Sequence, residues 1–297
     1  MRALPHRSAR SARFAVTQAS TATLVLILAL VTPQHAGPPD ARDGAAASGV
    51  GPAPVALAHA PAGTTKAHAP TQPVWRVTGL GDSVTAGTRC DCEDFVLRYA
   101  TLTRKHTGAR VVAHNLGVPG ATSNDLLLLL GQPSVARTVA GSDIVLITIG
   151  ANDLGGNLAD WQQDRCPIAC FEATMSTIQS NIAAIVDRIQ QLRRGQATEI
   201  LVTDYWNVFA DGAPAIRLGQ TYQSLSDQVT RRANTAICGG AVGAGASCVD
   251  LYAPFKGDGT TDPTPLLADD GDHPDARGHQ VIAQALAAHG WAGVTRS

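Results

Sequence analysis

The sequence predicts an α/β protein in which five parallel strands form a central sheet with helices on both faces. Short apolar runs rich in β-branched residues alternate with longer helical patterns from Val74 onward. Such alternation is typical of strands joined by helical crossovers, which cover both faces of a parallel sheet. The run SDIVLITIG at residues 142–150 contains an apolar stretch that only Thr148 interrupts, as expected for a strand that is buried on both faces.

The alternation predicts five strands and five helices. Asp94 is a possible cap of the first helix, and Gly131 with Pro133 would end the second. The strands are predicted in VWRVTGL (74–80), ARVVAHNLG (109–117), SDIVLITIG, TEILVTDYW (198–206) and SCVDLY (247–252), and the helices at 94–106, 123–133, 171–194, 220–237 and 276–289.

The predicted helix at 171–194 carries one apolar stripe. Its apolar residues are spaced alternately four and three apart, which is the period of a helix with one buried face. Arg193 and Arg194 suit the negative end of the helix dipole, and Gly195 can adopt the left-handed conformation that ends many helices. The stripe consists of Phe171, Met175, Ile178, Ile182, Ile185, Ile189 and Leu192.

The charge balance argues against a nucleic-acid partner. The 297 residues have a formal net charge of -1, so no basic surplus attracts the chain to a phosphate backbone. The length suffices for one sizeable core. We expect a monomer.

The N-terminal region predicts export. Four arginines (Arg2, Arg7, Arg10 and Arg13) precede the apolar run TATLVLILALV at 21–31, which suits a signal-peptide core but is short for a membrane span. We therefore predict a signal peptide at 1–36, a disordered Ala/Pro/Gly-rich linker at 37–73 and a catalytic domain at 74–297. An uncleaved membrane anchor is the alternative; after signal cleavage no membrane span is expected.

Six cysteines agree with export, because an even number in an exported chain predicts disulfides. They form three close pairs in the sequence, and the pairs Cys166–Cys170 and Cys238–Cys248 are favoured. The pair Cys90–Cys92 would close a tight ring and stays uncertain. Zinc is the alternative, but the three spacings do not repeat a C-x2-C pattern, so no metal site is expected.

Polar residues with catalytic potential are predicted just after the strands. Loops at the carboxyl ends of parallel strands share one edge of the sheet, where ligands bind. Ser83 follows the first predicted strand, residues 115–122 follow the second, residues 150–153 follow the third, and His273 lies beyond the fifth. Tyr205 and Trp206 end the fourth and are either cleft residues or core aromatics.

These groups match the requirements of acyl transfer, which needs a nucleophile, a base, an acid that orients the base, and oxyanion donors. Ser83 offers the hydroxyl, although serine is also common at helix starts and in turns. Asp270 and His273 are three residues apart, so one turn can bring the carboxylate to the imidazole. Gly120 and Asn152 can supply donors.

Four sequence blocks resemble those of the SGNH, or GDSL-type, hydrolase family. They are GDSVTAG, NLGVPGATS, GAND and DGDHP, and they occur in the family's order. Val84 departs from the Leu or Tyr that often follows the serine. The resemblance implies a flavodoxin-like three-layer α/β/α sandwich and a triad of Ser83, His273 and Asp270. Its oxyanion donors would be the Ser83 and Gly120 amides and the Asn152 side chain, with Gly117 as the runner-up to Gly120.

The predicted function is therefore that of a secreted, cofactor-free serine hydrolase acting on lipid or short-chain acyl esters. A carbohydrate O-acetylesterase is one alternative, and a non-catalytic cell-surface binding module on the same fold is another. A dinucleotide fingerprint is excluded because Val84 replaces its third glycine. The G-x-S-x-G elbow of α/β-hydrolases and a P-loop lysine are also absent around Ser83.

Overall fold

A computed structural model of the chain describes residues 73–291. The predicted signal peptide at 1–36 and the predicted linker, apart from Pro73, lie outside the described residues. No helix within the described residues has the length and apolar character needed to cross a bilayer.

The core of the described region is one five-stranded parallel sheet with the order β2-β1-β3-β4-β5. This is the flavodoxin-like strand order, in which the chain reverses direction across the sheet between β1 and β3. The predicted fold class is confirmed. The strands are β1 (Val74–Gly81), β2 (Arg110–Gly117), β3 (Ile144–Thr148), β4 (Glu199–Thr203) and β5 (Ser247–Val249).

Ten α-helices within the described residues flank this sheet. One group is formed by α2 and α10, which pack against each other, and another by α3, α4, α6 and α8, which gather around α6. The helices are α1 (Ser83–Ala86), α2 (Phe95–Thr107), α3 (Ser123–Leu129), α4 (Pro133–Ala140), α5 (Gly155–Trp161), α6 (Phe171–Arg193), α7 (Gly212–Leu218), α8 (Gln220–Gly243), α9 (Tyr252–Lys256) and α10 (Ala276–His289).

The helix starts are set by side-chain caps that the sequence supplies. Asp94 accepts the backbone N–H groups of Val96 and Leu97 and begins α2, as predicted. Thr122 and Asp125 form a reciprocal capping box at α3, which satisfies amides that would otherwise have no partner in the first turn.

The predicted apolar stripe of α6 faces the core. Every member from Phe171 to Ile189 is buried, and Leu192 is partly buried. The helix ends one residue before the predicted boundary, because Arg194 itself adopts the left-handed conformation, with a φ of 51°. Gly195 adopts the predicted left-handed conformation as well, with a φ of 77°. A left-handed arginine is less favourable than a glycine, so the sequence predicted the end of the helix one residue later.

Several predicted elements differ in length from those observed: β3, β4 and α3 are each four residues shorter than predicted. Helix α8 continues to Gly243, six residues past the predicted end at residue 237, and β5 is only three residues long. The glycines of the segment 239–243 disfavour a helix by intrinsic propensity. Packing outweighs that preference, because Gly240 lies directly against the backbone of α6.

The six cysteines are paired as three local disulfides. The bridges are Cys90–Cys92, Cys166–Cys170 and Cys238–Cys248, with Cα–Cα separations of 5.0, 5.8 and 5.2 Å. These separations lie within the range usual for disulfides. The uncertain Cys90–Cys92 pair is therefore also bridged.

Gly240 lies at the contact between α6 and α8, where we expect that no side chain is tolerated. A Cβ on Gly240 would lie 2.4 Å from the carbonyl oxygen of Gln179, so Gly240→Ala should force the two helices apart. We expect the free energy of unfolding to fall by about 1–3 kcal/mol. The matched control is Gly243→Ala in the same helix, where a Cβ meets nothing within 4 Å. Chemical denaturation of both variants measures the difference, and an equal response would contradict the packing argument.

Candidate active site

Ser83 lies at the carboxyl edge of the sheet, at the first position of α1 directly after β1. Gly81 ends the strand with a φ of 136°, and a Cβ there would lie 1.9 Å from the carbonyl oxygen of Thr148. Only glycine fits this approach of β1 to β3. The tight strand-to-helix turn therefore follows from the glycine that precedes Asp82 and Ser83.

Asp82 is a buried carboxylate that holds this turn in place. It caps α1 by accepting the Val84 N–H at 3.0 Å, and it accepts the Thr148 hydroxyl at 2.9 Å and the Tyr205 hydroxyl. Burial raises the pKa of Asp82 to about 6, although all three hydrogen bonds oppose the rise. The carboxylate thus links the turn at Ser83 to β3 and to the residues after β4.

Asp270 and His273 lie together in the loop before α10. The Asp270 Oδ2 atom is 2.8 Å from His273 Nδ1, and Oδ1 accepts the backbone N–H groups of Asp272 and His273. Burial acts to raise the pKa of Asp270, but its hydrogen bonds with His273 and Asp272 outweigh burial and lower it. With Nδ1 facing the carboxylate, Nε2 is the nitrogen left for a second partner.

Ser83 and Asn152 line a common cavity of about 320 Å³. Asp272, next to His273, lines it as well, so the histidine loop reaches the same space. Within the described region no hydrogen bond joins the Ser83 hydroxyl to His273, and contacts of this kind often tighten only when substrate binds. Aromatic side chains form much of the remaining wall: Tyr205, Trp206, Phe209 and Tyr222.

Two of the three predicted oxyanion donors, Gly120 and Asn152, lie on two adjoining loops, and the third, the Ser83 amide, lies in the turn after β1. The Asn152 side chain donates one N–H to the Ala121 carbonyl at 2.9 Å, which leaves its second N–H available. Gly120 has a φ of 80°, and nothing lies within 4 Å of a Cβ built on it. Gly117 instead donates its N–H to Asn115, so its amide is already used.

A second carboxylate joins these two loops. Asp153 accepts both the backbone N–H and the hydroxyl of Ser123, at 2.9 and 2.6 Å. Asn181 on α6 donates to the same hydroxyl at 2.9 Å. Asp153 therefore supports the loop after β3.

Among the described residues, the group that could approach a metal-ligand set is Cys90, Cys92 and His279, whose ligand atoms lie within 4.8 Å of one another. The two sulfur atoms are bonded to each other, and a disulfide does not provide the thiolates that bind zinc. His279 accepts the Phe95 N–H at Nδ1, and burial lowers its pKa to about 4. This histidine is a structural residue that connects α10 to α2.

Sequence reasoning missed three features around the predicted site. Thr148 and Tyr205 both hold Asp82, and Arg89 forms an ion pair with Asp270 at 3.2 Å. These contacts join residues separated by 66 to 181 positions, so no local pattern reports them. Tyr205 and Trp206 are both buried and line the cavity, so each is a core aromatic and a cavity residue.

The family model of the GDSL-like lipase/acylhydrolase family matches residues 80–281. The match covers more than half of the 297-residue chain, and it spans all of the loops described above. The chain therefore belongs to the GDSL-like lipase/acylhydrolase family and is a carboxylic ester hydrolase.

Individual relatives agree with this family. The chain is 25% identical over 218 residues to the spore germination lipase LipC of Bacillus licheniformis, covering 72% of this chain and 95% of that protein. Two solved structures share its fold. A lipase, Lip_vut3, from a goat rumen metagenome has a TM-score of 0.62 at 22% identity, covering 73% of this chain and 98% of that one. A catalytic mutant of Axe2, an acetylxylan esterase from Geobacillus stearothermophilus, has a TM-score of 0.51 at 20% identity, covering 75% and 97%.

The raised pKa of Asp82 predicts a pH-dependent contribution to stability. The ordinary pKa of this carboxyl group is 3.8, and in the folded protein it is about 6. Between these two pH values the carboxyl group of Asp82 is ionised in the unfolded chain but keeps its proton in the folded protein. The contribution of Asp82 to stability therefore falls as pH rises through this window, by about 3 kcal/mol in total. The variant Asp82→Asn lacks this titration.

Denaturation curves at pH 4, 5, 6 and 7 measure the effect as the difference between the wild type and Asp82→Asn. Asp204, whose pKa burial raises to about 7, titrates in both proteins and cancels. The control is Asp187→Asn at an exposed site on α6. A difference for Asp82→Asn that changes with pH no more than that of the control would contradict the raised pKa.

Proposed function

We propose that the chain hydrolyses carboxylic esters by nucleophilic catalysis, with Ser83 as the nucleophile, His273 as the base and Asp270 as the acid that orients it. The observation that carries this proposal is the 2.8 Å contact between Asp270 Oδ2 and His273 Nδ1, in a loop that reaches the cavity lined by Ser83. Membership of an acylhydrolase family supports the same chemistry.

In the first half of the reaction, His273 Nε2 takes the proton of the Ser83 hydroxyl as Oγ attacks the ester carbonyl. The imidazolium that results is stabilised by Asp270, which keeps its negative charge. Collapse of the tetrahedral intermediate breaks the bond to the alcohol, which leaves with the proton from His273. In the second half, His273 activates a water molecule, which releases the acid and restores Ser83.

The negative charge on the tetrahedral oxygen needs donors that are already in position. We assign this role to the backbone N–H groups of Ser83 and Gly120 and to the side-chain amide of Asn152. The bond from Asn152 to the Ala121 carbonyl supports the assignment, because it fixes the amide plane beside the Gly120 loop. A fixed donor loses little free energy to reorganisation when charge develops.

The substrate we propose is a neutral ester with a short to medium acyl chain. The cavity of about 320 Å³ has mainly apolar and aromatic walls, and it is near the lower end of the range for small-molecule sites. Such a space suits an acyl chain better than a large polar group. A carbohydrate O-acetyl ester remains the second candidate, since an acetyl group would also fit.

The paired cysteines and the N-terminal sequence support the proposal that this hydrolase acts outside the cell. Disulfides persist in oxidising compartments, and all six cysteines are bridged. No cofactor is assigned to the reaction, because the serine mechanism requires none.

Replacing the proposed nucleophile should abolish catalysis without unfolding the chain. For Ser83→Ala we expect kcat/KM for a soluble ester to fall by roughly 10⁴-fold or more, because the loss of one triad member disables the whole unit. Circular dichroism checks the fold. A fluorophosphonate probe should label the wild type and the control Ser180→Ala, which removes an exposed hydroxyl of α6, but not Ser83→Ala. Comparable turnover by Ser83→Ala would refute the assignment, and an unlabelled wild type would favour a binding module.

The cavity also predicts the order of substrates. Across p-nitrophenyl esters from two to sixteen carbons, we expect kcat/KM to rise with each added methylene while the chain is still buried, by a few-fold per group, and then to fall once the cavity is filled. The same series with acetylated xylan tests the second candidate. Activity that is highest on acetylated xylan and absent beyond acetate would favour a carbohydrate esterase.

A further inference from the structure

We infer that Arg89 is a positioning residue for the proposed catalytic pair, and that it lowers the pH at which His273 becomes an active base. The inference rests on the triad proposed above. Arg89 Nε lies 3.2 Å from Asp270 Oδ2. The same oxygen faces His273 Nδ1 at 2.8 Å, so one carboxylate oxygen is shared between the guanidinium and the imidazole.

Arg89 belongs to the segment that carries Ser83. After the short helix α1, the Thr88 N–H donates to the Ser83 carbonyl at 3.0 Å, and Arg89 follows directly. Asp270 lies 181 positions further along the chain. The ion pair therefore joins the loop of the proposed nucleophile directly to the loop of the proposed base.

The backbone at Arg89 is held in a conformation that arginine does not favour. Its φ is 63°, in the left-handed region, and residues other than glycine persist there only when their surroundings enforce it. Two features enforce it here. The Cys90 N–H donates to the Gly87 carbonyl, and the Cys90–Cys92 bridge closes a small ring immediately after Arg89.

The ion pair between Arg89 and Asp270 is too exposed to contribute much to the stability of the fold. The Arg89 side chain is 56% exposed, against 20% for Asp270, and ion pairs at such exposure stabilise a fold very little. Asp270 is also held by two backbone N–H groups through its other oxygen. The main effect of Arg89 is therefore electrostatic: its positive charge opposes the formation of a second positive charge on His273.

The other titratable groups near His273 do not supply an opposing positive charge. Asp272 Oδ2 lies 3.9 Å from Nδ1 and favours the imidazolium, as Asp270 does. His279 on α10 is buried with its pKa lowered to about 4, so it is neutral at working pH. Among the described ion pairs of Asp270, Arg89 supplies the opposing positive charge.

The test is the pH dependence of kcat/KM on a soluble neutral ester at low ionic strength. For Arg89→Gln we expect the acid limb of the profile to move to higher pH by about 0.5–1 unit, as for removal of one partly screened charge a few ångströms away. Arg89 does not line the cavity, so KM should stay constant while kcat below neutral pH falls. The melting temperature should stay within about 2 °C of the wild type.

Two matched variants separate this role from general effects of charge. Arg89→Lys keeps the charge and should restore the wild-type profile to within about 0.2 unit, while Arg104→Gln removes one exposed charge at the far end of α2 and should change nothing. In about 0.5 M NaCl the shift of Arg89→Gln should shrink. An Arg89→Gln profile that coincides with the wild type, or an equal shift in Arg104→Gln, overturns the inference.

The contribution of the ring is tested by the double variant Cys90→Ser/Cys92→Ser. It should shift the acid limb in the same direction as Arg89→Gln in the wild-type background, and add no shift when Arg89 is already glutamine. No shift in the wild-type background, or equal shifts in both backgrounds, would show that the ring does not act through Arg89.

The variant Asp270→Asn distinguishes an error in the proposed triad from an error in the proposed role of Arg89. If Asp270→Asn keeps full activity, the proposed triad is wrong, whatever Arg89 does. If Asp270→Asn loses activity by about 10²-fold or more while Arg89→Gln behaves as the wild type, only the role of Arg89 is refuted.

Discussion

The architecture of the site depends on the hydrogen bonds of the buried Asp82 carboxylate. The carboxylate connects the end of β1, the hydroxyl of Thr148 on β3 and the hydroxyl of Tyr205 beyond β4, and it caps the helix that begins with Ser83. A buried carboxylic group is costly unless its hydrogen bonds are satisfied. Because its side-chain partners come from β3 and from the segment after β4, the cost is offset only when these parts of the chain have assembled around β1.

The described elements also show why the fold was predictable. The strands are apolar runs between turn residues, and the stripe of α6 repeats over six turns, so hydrophobic periodicity reports them. The short helices α1, α4, α5, α7 and α9 were not predicted, because segments of four to eight residues are too short to show a full apolar stripe. The extension of α8 was not predicted, because the low helix propensity of glycine can be read from the local sequence. The contact of Gly240 with Gln179, which outweighs that propensity, is tertiary.

The candidate site was predictable to the extent that its residues lie in short blocks. Ser83, Asn152, Asp270 and His273 each stand in a recognisable motif, and the order of strands gathers the motifs at one edge. The supporting contacts follow a different rule. Arg89, Thr148 and Tyr205 reach their partners across 66 to 181 residues, so only the folded chain shows that they meet.

The pairing of α2 with α10 has a consequence for how the chain is made. The Phe95 N–H binds His279, Arg98 binds Gln280, and the Trp291 indole N–H donates to Thr103 at 3.1 Å. The first long helix of the described region, α2, thus packs against the last helix, α10. The residues that meet lie 182 to 188 positions apart, so α2 lacks these contacts while the segment between the two helices is being synthesised. The pairing can form only after all five strands of the sheet have been made.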